Sequence, residues 1–329
     1  MADKIRVGII GVGGISYGHI KRFMESPDAE IVGLCDIVQS QLDKAVERVP
    51  ELAGVPQYLD YRDLLAAGGL DAVEISSPHT PHFEQIMDSL DAGLHVLTEK
   101  PMVCTTAHAK AVIEKRDKVG KVVQISYQRH FQPAFRYIRQ MVSEGKLGEI
   151  NFISALQCQA WKRAQTGKWR QDPAISGGGQ LNDSGSHLVD VVLWTSGLTA
   201  GSVTGYVDNR GTQVDINSAI SIKFTNGAQG TISVVADTTC GYYEDFTIWG
   251  DKGTIFYRNG KTIYCNESSE FIEPADMPEG GNPDQGFLDV ILGRAENWVP
   301  AECGLRVIEL TEAAWKSAEI GQPVPVAAL

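Results

Sequence analysis

At 329 residues, with 29 Lys plus Arg against 41 Asp plus Glu and a formal net charge of −12, the chain is long enough for two domains and too acidic to favour nucleic acid or an anionic membrane surface as partner. Its six cysteines (Cys35, Cys104, Cys158, Cys240, Cys265, Cys303) are scattered, with no C-x-x-C pair and no Cys/His spacing suited to a metal, so they read as reduced thiols and no metal is expected. The first apolar stretch is broken by Gly8, Gly11, Gly13 and Gly14, and no later run approaches the ~20 apolar residues of a membrane span, which leaves a soluble, cytoplasmic protein working on a small molecule.

The chain opens on KIRVGIIGVGGIS, Lys4–Ser16. Val7, Ile9 and Ile10 suit a strand buried on both faces, Gly11 permits a tight turn, and Gly13 lets backbone approach a pyrophosphate at the start of the following helix. The G-x-G-x-x-G pattern is met at Gly11 and Gly13, with Ser16 in the third place. A second apolar run, Glu30–Cys35, ends at Asp36, and 36 − 16 puts that acid 20 residues past the motif. A carboxylate there accepts from ribose hydroxyls and repels a 2′-phosphate, and Ile37 and Val38 offer no cation, so NAD is favoured over NADP.

To about Ser126, short apolar runs (Lys4–Ile10, Glu30–Cys35, Ala72–Ile75, His95–Thr98, Val122–Ile125) alternate with amphipathic stretches. The alternation predicts a doubly wound parallel sheet over residues 1–126. Two strand ends carry polar groups at the carboxyl edge, where such sheets bind ligands. Ser76-Ser77-Pro78-His79-Thr80-Pro81-His82 makes a stiff loop able to line a cofactor, or else a plain turn with two solvent-facing histidines. Glu99-Lys100-Pro101 places a lysine where it can stabilise an alkoxide by charge, and a proline whose preceding bond is a candidate for cis.

Residues 127–329 have a different texture. A helix is expected over Pro133–Ser143, followed by alternating runs from Asn151 to Cys265. Asn226-Gly227 and Asn259-Gly260 lie between pairs of those runs, which is hairpin chemistry and predicts a largely antiparallel sheet. Trp169–Gly197 interrupts the strands; there Asp183 and His187 stand four apart, and an unbroken helix would set them on one face with Asp190 one turn on. Asp276–Gln285, rich in Pro, Gly and acids, is expected to be a loop, and Phe287–Leu292 and Gly304–Ile320 to be helices, the last able to pack back on the first domain.

Taken together, Gly11-Val12-Gly13-Gly14-Ile15, Ser77-Pro78, Glu99-Lys100-Pro101, Trp169-Arg170, Gly177-Gly178-Gly179 and Asp183 with His187 resemble the glucose–fructose oxidoreductase / inositol dehydrogenase / MocA (Gfo/Idh/MocA) family over essentially the whole chain. The resemblance implies a Rossmann domain followed by an α/β domain with an open antiparallel sheet that builds a homodimer or homotetramer. It also implies NAD(P)-dependent oxidation or reduction of a sugar or cyclitol. Lys100 resembles the family's catalytic lysine, and Asp183 and His187 the acid and histidine of its D-x-x-x-H motif. The implied cofactor contacts are Gly11, Gly13, Gly14, Ile15, Asp36, Ser77, His79, His82, Glu99, Lys100, Gln128, Trp169 and Arg170. Substrate contacts are expected from Lys100, Arg129, Trp161, Lys162, Asn182, Asp183 and His187. The chain departs from the family pattern at Ser77 and His79, where Thr and Asn are usual, and at His130, where a second Arg is usual.

The chemistry implied is hydride transfer between a secondary alcohol carbon and nicotinamide, with His187 taking the hydroxyl proton, Lys100 stabilising the alkoxide and Asp183 orienting. Two rivals use the same residues differently: a glycosidase acting by transient oxidation with retained NAD, and a non-catalytic nucleotide or sugar sensor.

Overall fold

The computed structural model describes residues Lys4–Val326, which form two compact units. The first unit contains the chain up to Val103, then Ala107–Tyr127 and, from beyond the expected boundary, Gly281–Gly304. Its sheet has strands β1 (Ile5–Ile10), β2 (Ala29–Cys35), β3 (Gln57–Tyr58), β4 (Ala72–Ile75), β5 (His95–Thr98) and β6 (Val123–Ile125), in the order β3-β2-β1-β4-β5-β6. Every pairing is parallel. The strand order reverses between β1 and β4, and the loops after those two strands therefore flank the crevice in which such sheets bind ligands. The sequence pattern missed β3, because a two-residue strand has no periodicity to read.

Helix Pro283–Ile291 buries Phe287 and Leu288 in the same core as Val7, Ile9, Ile20 and Phe23. This explains why a segment so late in the chain belongs to the Rossmann unit. The helix starts inside the stretch expected to be a loop: Asn282 caps it by accepting from the Gln285 N–H at 2.9 Å, and Pro283 fills the first turn.

The second unit holds Cys104–Thr106, Gln128–Gly280 and the chain from Leu305. Its sheet comprises β7 (Ile150–Gln159), β8 (Ala200–Asp208), β9 (Asn217–Phe224), β10 (Gln229–Val235), β11 (Tyr242–Gly250), β12 (Gly253–Arg258), β13 (Lys261–Asn266), β14 (Phe271–Ile272) and β15 (Val324–Pro325). The order is β14-β13-β12-β11-β7-β10-β9-β8-β15, antiparallel throughout except for the parallel pair β7/β10. Both Asn-Gly turns join neighbouring strands as expected, and Asn259 and Gly260 take φ of 46° and 100°, the left-handed pair such a turn requires.

One face of this sheet is buried through Ile153, Ala155, Phe246, Ile248 and Ile255, and helix Gly185–Ser196 packs against β7 and β10 on it. The other face carries a row of aromatics, with Phe152 against Trp249, Trp249 against Phe256 and Phe256 against Phe271 at ring separations of 5.7, 6.5 and 6.0 Å. No helix among the described residues is long and apolar enough to cross a membrane.

Candidate active site

In the first unit the glycine loop leaves part of its backbone uncovered. Gly11 has φ +90° and donates its N–H to the Cys35 carbonyl at 2.7 Å; a Cβ there would stand 2.6 Å from the Ser77 backbone nitrogen. Only glycine fits, because the loops after β1 and β4 touch at this point. A Cβ on Gly13 or Gly14 would meet nothing within 4 Å, so their backbone lies open to a ligand. Ser16 fills the third glycine position by donating its hydroxyl to the Gly13 carbonyl at 2.7 Å, and its small side chain is fully buried. Helix Ser16–Glu25 begins with no acidic residue in its first turn and no side-chain cap, which leaves its positive end available to phosphate. Ile15 beside it is exposed.

Asp36 closes the other side of the loop. Its carboxylate accepts from the Val12 N–H at 3.0 Å and from the Val38 N–H at 2.9 Å. The acid is therefore oriented by the glycine loop and by the turn after β2. These residues fit NAD: an open glycine backbone, an uncapped helix start and a fixed carboxylate at the end of β2 are the three features a dinucleotide needs here.

The two further edges are bound to each other. His82 is fully buried and its ring nitrogens face the Pro101 and Ser77 carbonyls at 2.9 and 3.0 Å. Burial lowers its pKa, and the two carbonyls and the nearby Glu99 charge only partly offset this. His79 is also buried. Neither histidine faces solvent, so the plain-turn reading of this loop fails. The buried His82 ring sits between the Ser77 loop and the Lys100–Pro101 turn, where its single N–H donates to one of the two carbonyls, which corrects its expected place as a cofactor contact to a supporting one. The Lys100–Pro101 bond is cis.

Beneath that turn lies a cluster the sequence did not reveal. Glu99 accepts from the Lys100 N–H at 3.1 Å and lies 3.2 Å from the His19 Nε2, while the His19 Nδ1 lies 2.6 Å from Asp284. Glu74 stands 3.7 Å from His19 and accepts the Ser76 hydroxyl, and Arg22 pairs with Asp284. Burial alone would discharge His19, but Glu74, Asp284 and Glu99 raise its pKa well above the ordinary value. Burial pushes the Glu74 carboxyl up to about 7, with His19 only partly offsetting it. No spacing rule links His19, Glu74 and Asp284, which come from helix Ser16–Glu25, β4 and the late helix.

In the second unit, helix Gly185–Ser196 starts after Asp183, so Asp183 sits in the preceding turn. The one-face argument from the i, i+4 spacing does not hold, because the helix opens only at Gly185. Asp190, expected beside His187, is buried and bonded to the His130 ring at 2.8 Å. All of the helix is buried except His187. That side chain lines a cavity of about 280 Å³ together with Gln128, Arg129, Gln132, Tyr242 and Glu244. Arg129 is held bidentately by Glu244 at 2.6 and 3.2 Å and also donates to the Tyr242 hydroxyl at 2.6 Å.

Asp183, also buried, accepts from the Trp161 indole N–H at 2.8 Å and from Arg170 at 3.0 Å. Arg170 in turn covers the Trp169 ring at 4.3 Å. Trp161 is only 2% exposed and packs with Val214, Ile216 and Ala236, so it has no open face to stack on a sugar, a correction to its expected role. Asn182 is equally buried, 3.4 Å from the Ser176 carbonyl, and Lys162 pairs with Asp237 at 3.2 Å; neither lines the cavity. Of the expected substrate contacts in this unit, the cavity thus brings together Arg129 and His187. Glu244 and Gln132 were missed, because a lone acid or amide in a strand or turn carries no distinguishing signal. Tyr242 also lies on the wall.

The sequence model of the GFO/IDH/MocA "Oxidoreductase family, NAD-binding Rossmann fold" matches residues 5–127, and that of the GFO/IDH/MocA C-terminal domain matches residues 135–256. Among characterised relatives, the D-glucoside 3-dehydrogenase of Escherichia coli is 27% identical over 98% of each chain. The scyllo-inositol 2-dehydrogenase (NAD(+)) of Bacillus subtilis is 25% identical over 78% of this chain and 74% of its own. Among solved structures, the WlbA dehydrogenase of Bordetella pertussis, in complex with NADH and UDP-GlcNAcA, superposes with a TM-score of 0.85 at 24% identity, covering 99% of this chain and all of the other. The chain belongs to the GFO/IDH/MocA oxidoreductase family, and its first unit is that family's NAD-binding Rossmann domain.

Proposed function

We propose that the protein is an NAD-dependent dehydrogenase acting on a secondary alcohol of an uncharged sugar or cyclitol. The observation that carries this reading is His187: in a helix otherwise buried it alone reaches a cavity, and hydroxyl, amide and charged groups suited to a polyol surround it. The cavity is near the lower end of the ~300–1,000 Å³ typical of ligand pockets, which suits one ring. Relatives named for glucoside and inositol oxidation support the substrate class.

Bound NAD supplies the hydride acceptor. Gly11, Gly13, Gly14 and Ile15 would hold its pyrophosphate end, Asp36 its ribose, and Ser77, His79, Glu99, Gln128, Trp169 and Arg170 would contact the remainder. His187 accepts the hydroxyl proton at an imidazole nitrogen, since an imidazole titrates near neutrality. The Lys100 ammonium stabilises the developing alkoxide and returns to its resting state when the carbonyl forms. Asp183, held by Trp161 and Arg170, orients the substrate side of the second unit. The scattered cysteines, with no C-x-x-C pair, support a reducing, cytoplasmic setting, and the aromatic row from Phe152 to Phe271 supports a homodimer or homotetramer through the open sheet face.

His187→Ala and Lys100→Ala should each lower turnover at least ~10²-fold while NADH still binds, the lower end of what a general acid or base contributes. Near-wild-type turnover in either variant removes that residue from the mechanism.

A further inference from the structure

Arg129 supplies a guanidinium to the wall of the His187 cavity, and Glu244, on β11, supplies a carboxylate beside it. The two are joined by a bidentate pair at 2.6 and 3.2 Å, and their side chains are only 10% and 3% exposed. The Tyr242 hydroxyl completes the arrangement by accepting from the same guanidinium. A planar guanidinium bound this way keeps its geometry while its charge is met locally. On this wall the guanidinium of Arg129 and the carboxylate of Glu244 cancel, so the pair adds donors and acceptors without adding net charge. A ligand carboxylate or phosphate would find the cation already paired and would approach Glu244, and like charges in a desolvated site are strongly disfavoured.

We propose that the Arg129–Glu244 pair determines specificity, restricting the cavity to uncharged, hydroxyl-rich rings and turning away sugar acids and sugar phosphates. The inference rests on reading the cavity as the substrate site. Removing the Glu244 charge would leave Arg129 to attract an anionic ligand; removing the Arg129 charge would leave Glu244 to repel one more strongly.

The test compares kcat/KM of the NAD-loaded protein for a hexose and for the uronic acid of the same configuration, D-glucose with D-glucuronate and D-galactose with D-galacturonate. The wild type is expected to favour the neutral member of each pair. Glu244→Gln should move the ratio at least ~10-fold toward the acid, the low end of what breaking a buried charge pair does, and Arg129→Gln should move it the opposite way. Glu244→Asp, which keeps the charge, should retain the wild-type preference. A wild type that uses the acids as well as the hexoses overturns the proposal, as does a Glu244→Gln ratio within threefold of wild type. If Glu244→Gln does not fold, the wild-type ratio and the Arg129→Gln shift decide. Absence of turnover with every sugar, together with hexose binding unchanged by His187→Ala, overturns the substrate-site reading itself and the inference with it.

Discussion

Asp36 provides a sharp test of how the Rossmann unit selects its cofactor. Its carboxylate is fixed by two backbone N–H groups, from Val12 at 3.0 Å and Val38 at 2.9 Å, so it cannot swing away from a group placed near the ribose. A 2′-phosphate about 4 Å away would meet a repulsion of ~4 kcal/mol per unit charge at an effective dielectric of ~20. Asp36 is only half-buried, and screening reduces this to about 1–3 kcal/mol, a preference for NADH over NADPH of roughly 10- to 100-fold. Asp36→Asn keeps the side-chain shape but removes the charge and turns one acceptor into a donor facing a backbone N–H. The variant should bind NADH more weakly, through loss of a charge-assisted hydrogen bond worth about 1.5–3 kcal/mol, and should lose most of its discrimination. Fluorescence titration of wild type and variant with NADH and NADPH measures both effects. Equal affinities in the wild type, or an unchanged ratio in Asp36→Asn, would refute the reasoning.

Gly11→Ala should cost at least ~2 kcal/mol of stability, because the φ of +90° disfavours a Cβ and the Cβ would overlap the Ser77 backbone; denaturant unfolding measures it. Gly13→Ala provides the contrast: with open space around it, the fold should be preserved while NADH affinity falls, and equal stability losses in the two variants would contradict this. Glu74, buried with its carboxyl raised from an ordinary 4.5 to about 7, holds its proton better folded than unfolded. Its contribution to stability is therefore full below about 4.5 and is lost as pH rises through about 7. Glu74→Gln should gain up to about 3 kcal/mol on the wild type across that window, and parallel stability–pH curves would show that the site does not titrate there.

The Rossmann unit was legible because its elements carry local signals. Alternation identified β1, β2, β4, β5 and β6, the glycine at position 11 is fixed by backbone geometry that only glycine satisfies, and the acid at 36 stands at the spacing its motif requires. Side-chain pairings across long sequence separations were not legible. His19 meets Asp284 across 265 residues, and Arg129 meets Glu244 across 115, with nothing local at either end to announce the partner. Spacing misled at Asp183, where a glycine two residues on moved the helix start past it. Residue type misled at Trp161, whose indole N–H serves Asp183 and whose ring fills a core.

The proposed activity is the movement of a hydride between a ring alcohol carbon and nicotinamide. A single-turnover reaction of NAD-loaded protein with ring-deuterated cyclitols, hexoses and hexosides tests it, with the label followed by mass spectrometry. Deuterium is expected on the nicotinamide ring and a ketone at the labelled carbon, with both lost in His187→Ala. Bound NAD with no label transferred from any neutral sugar or cyclitol would contradict it, and label returned to a hydrolysed glycoside would assign the same residues to bond cleavage instead.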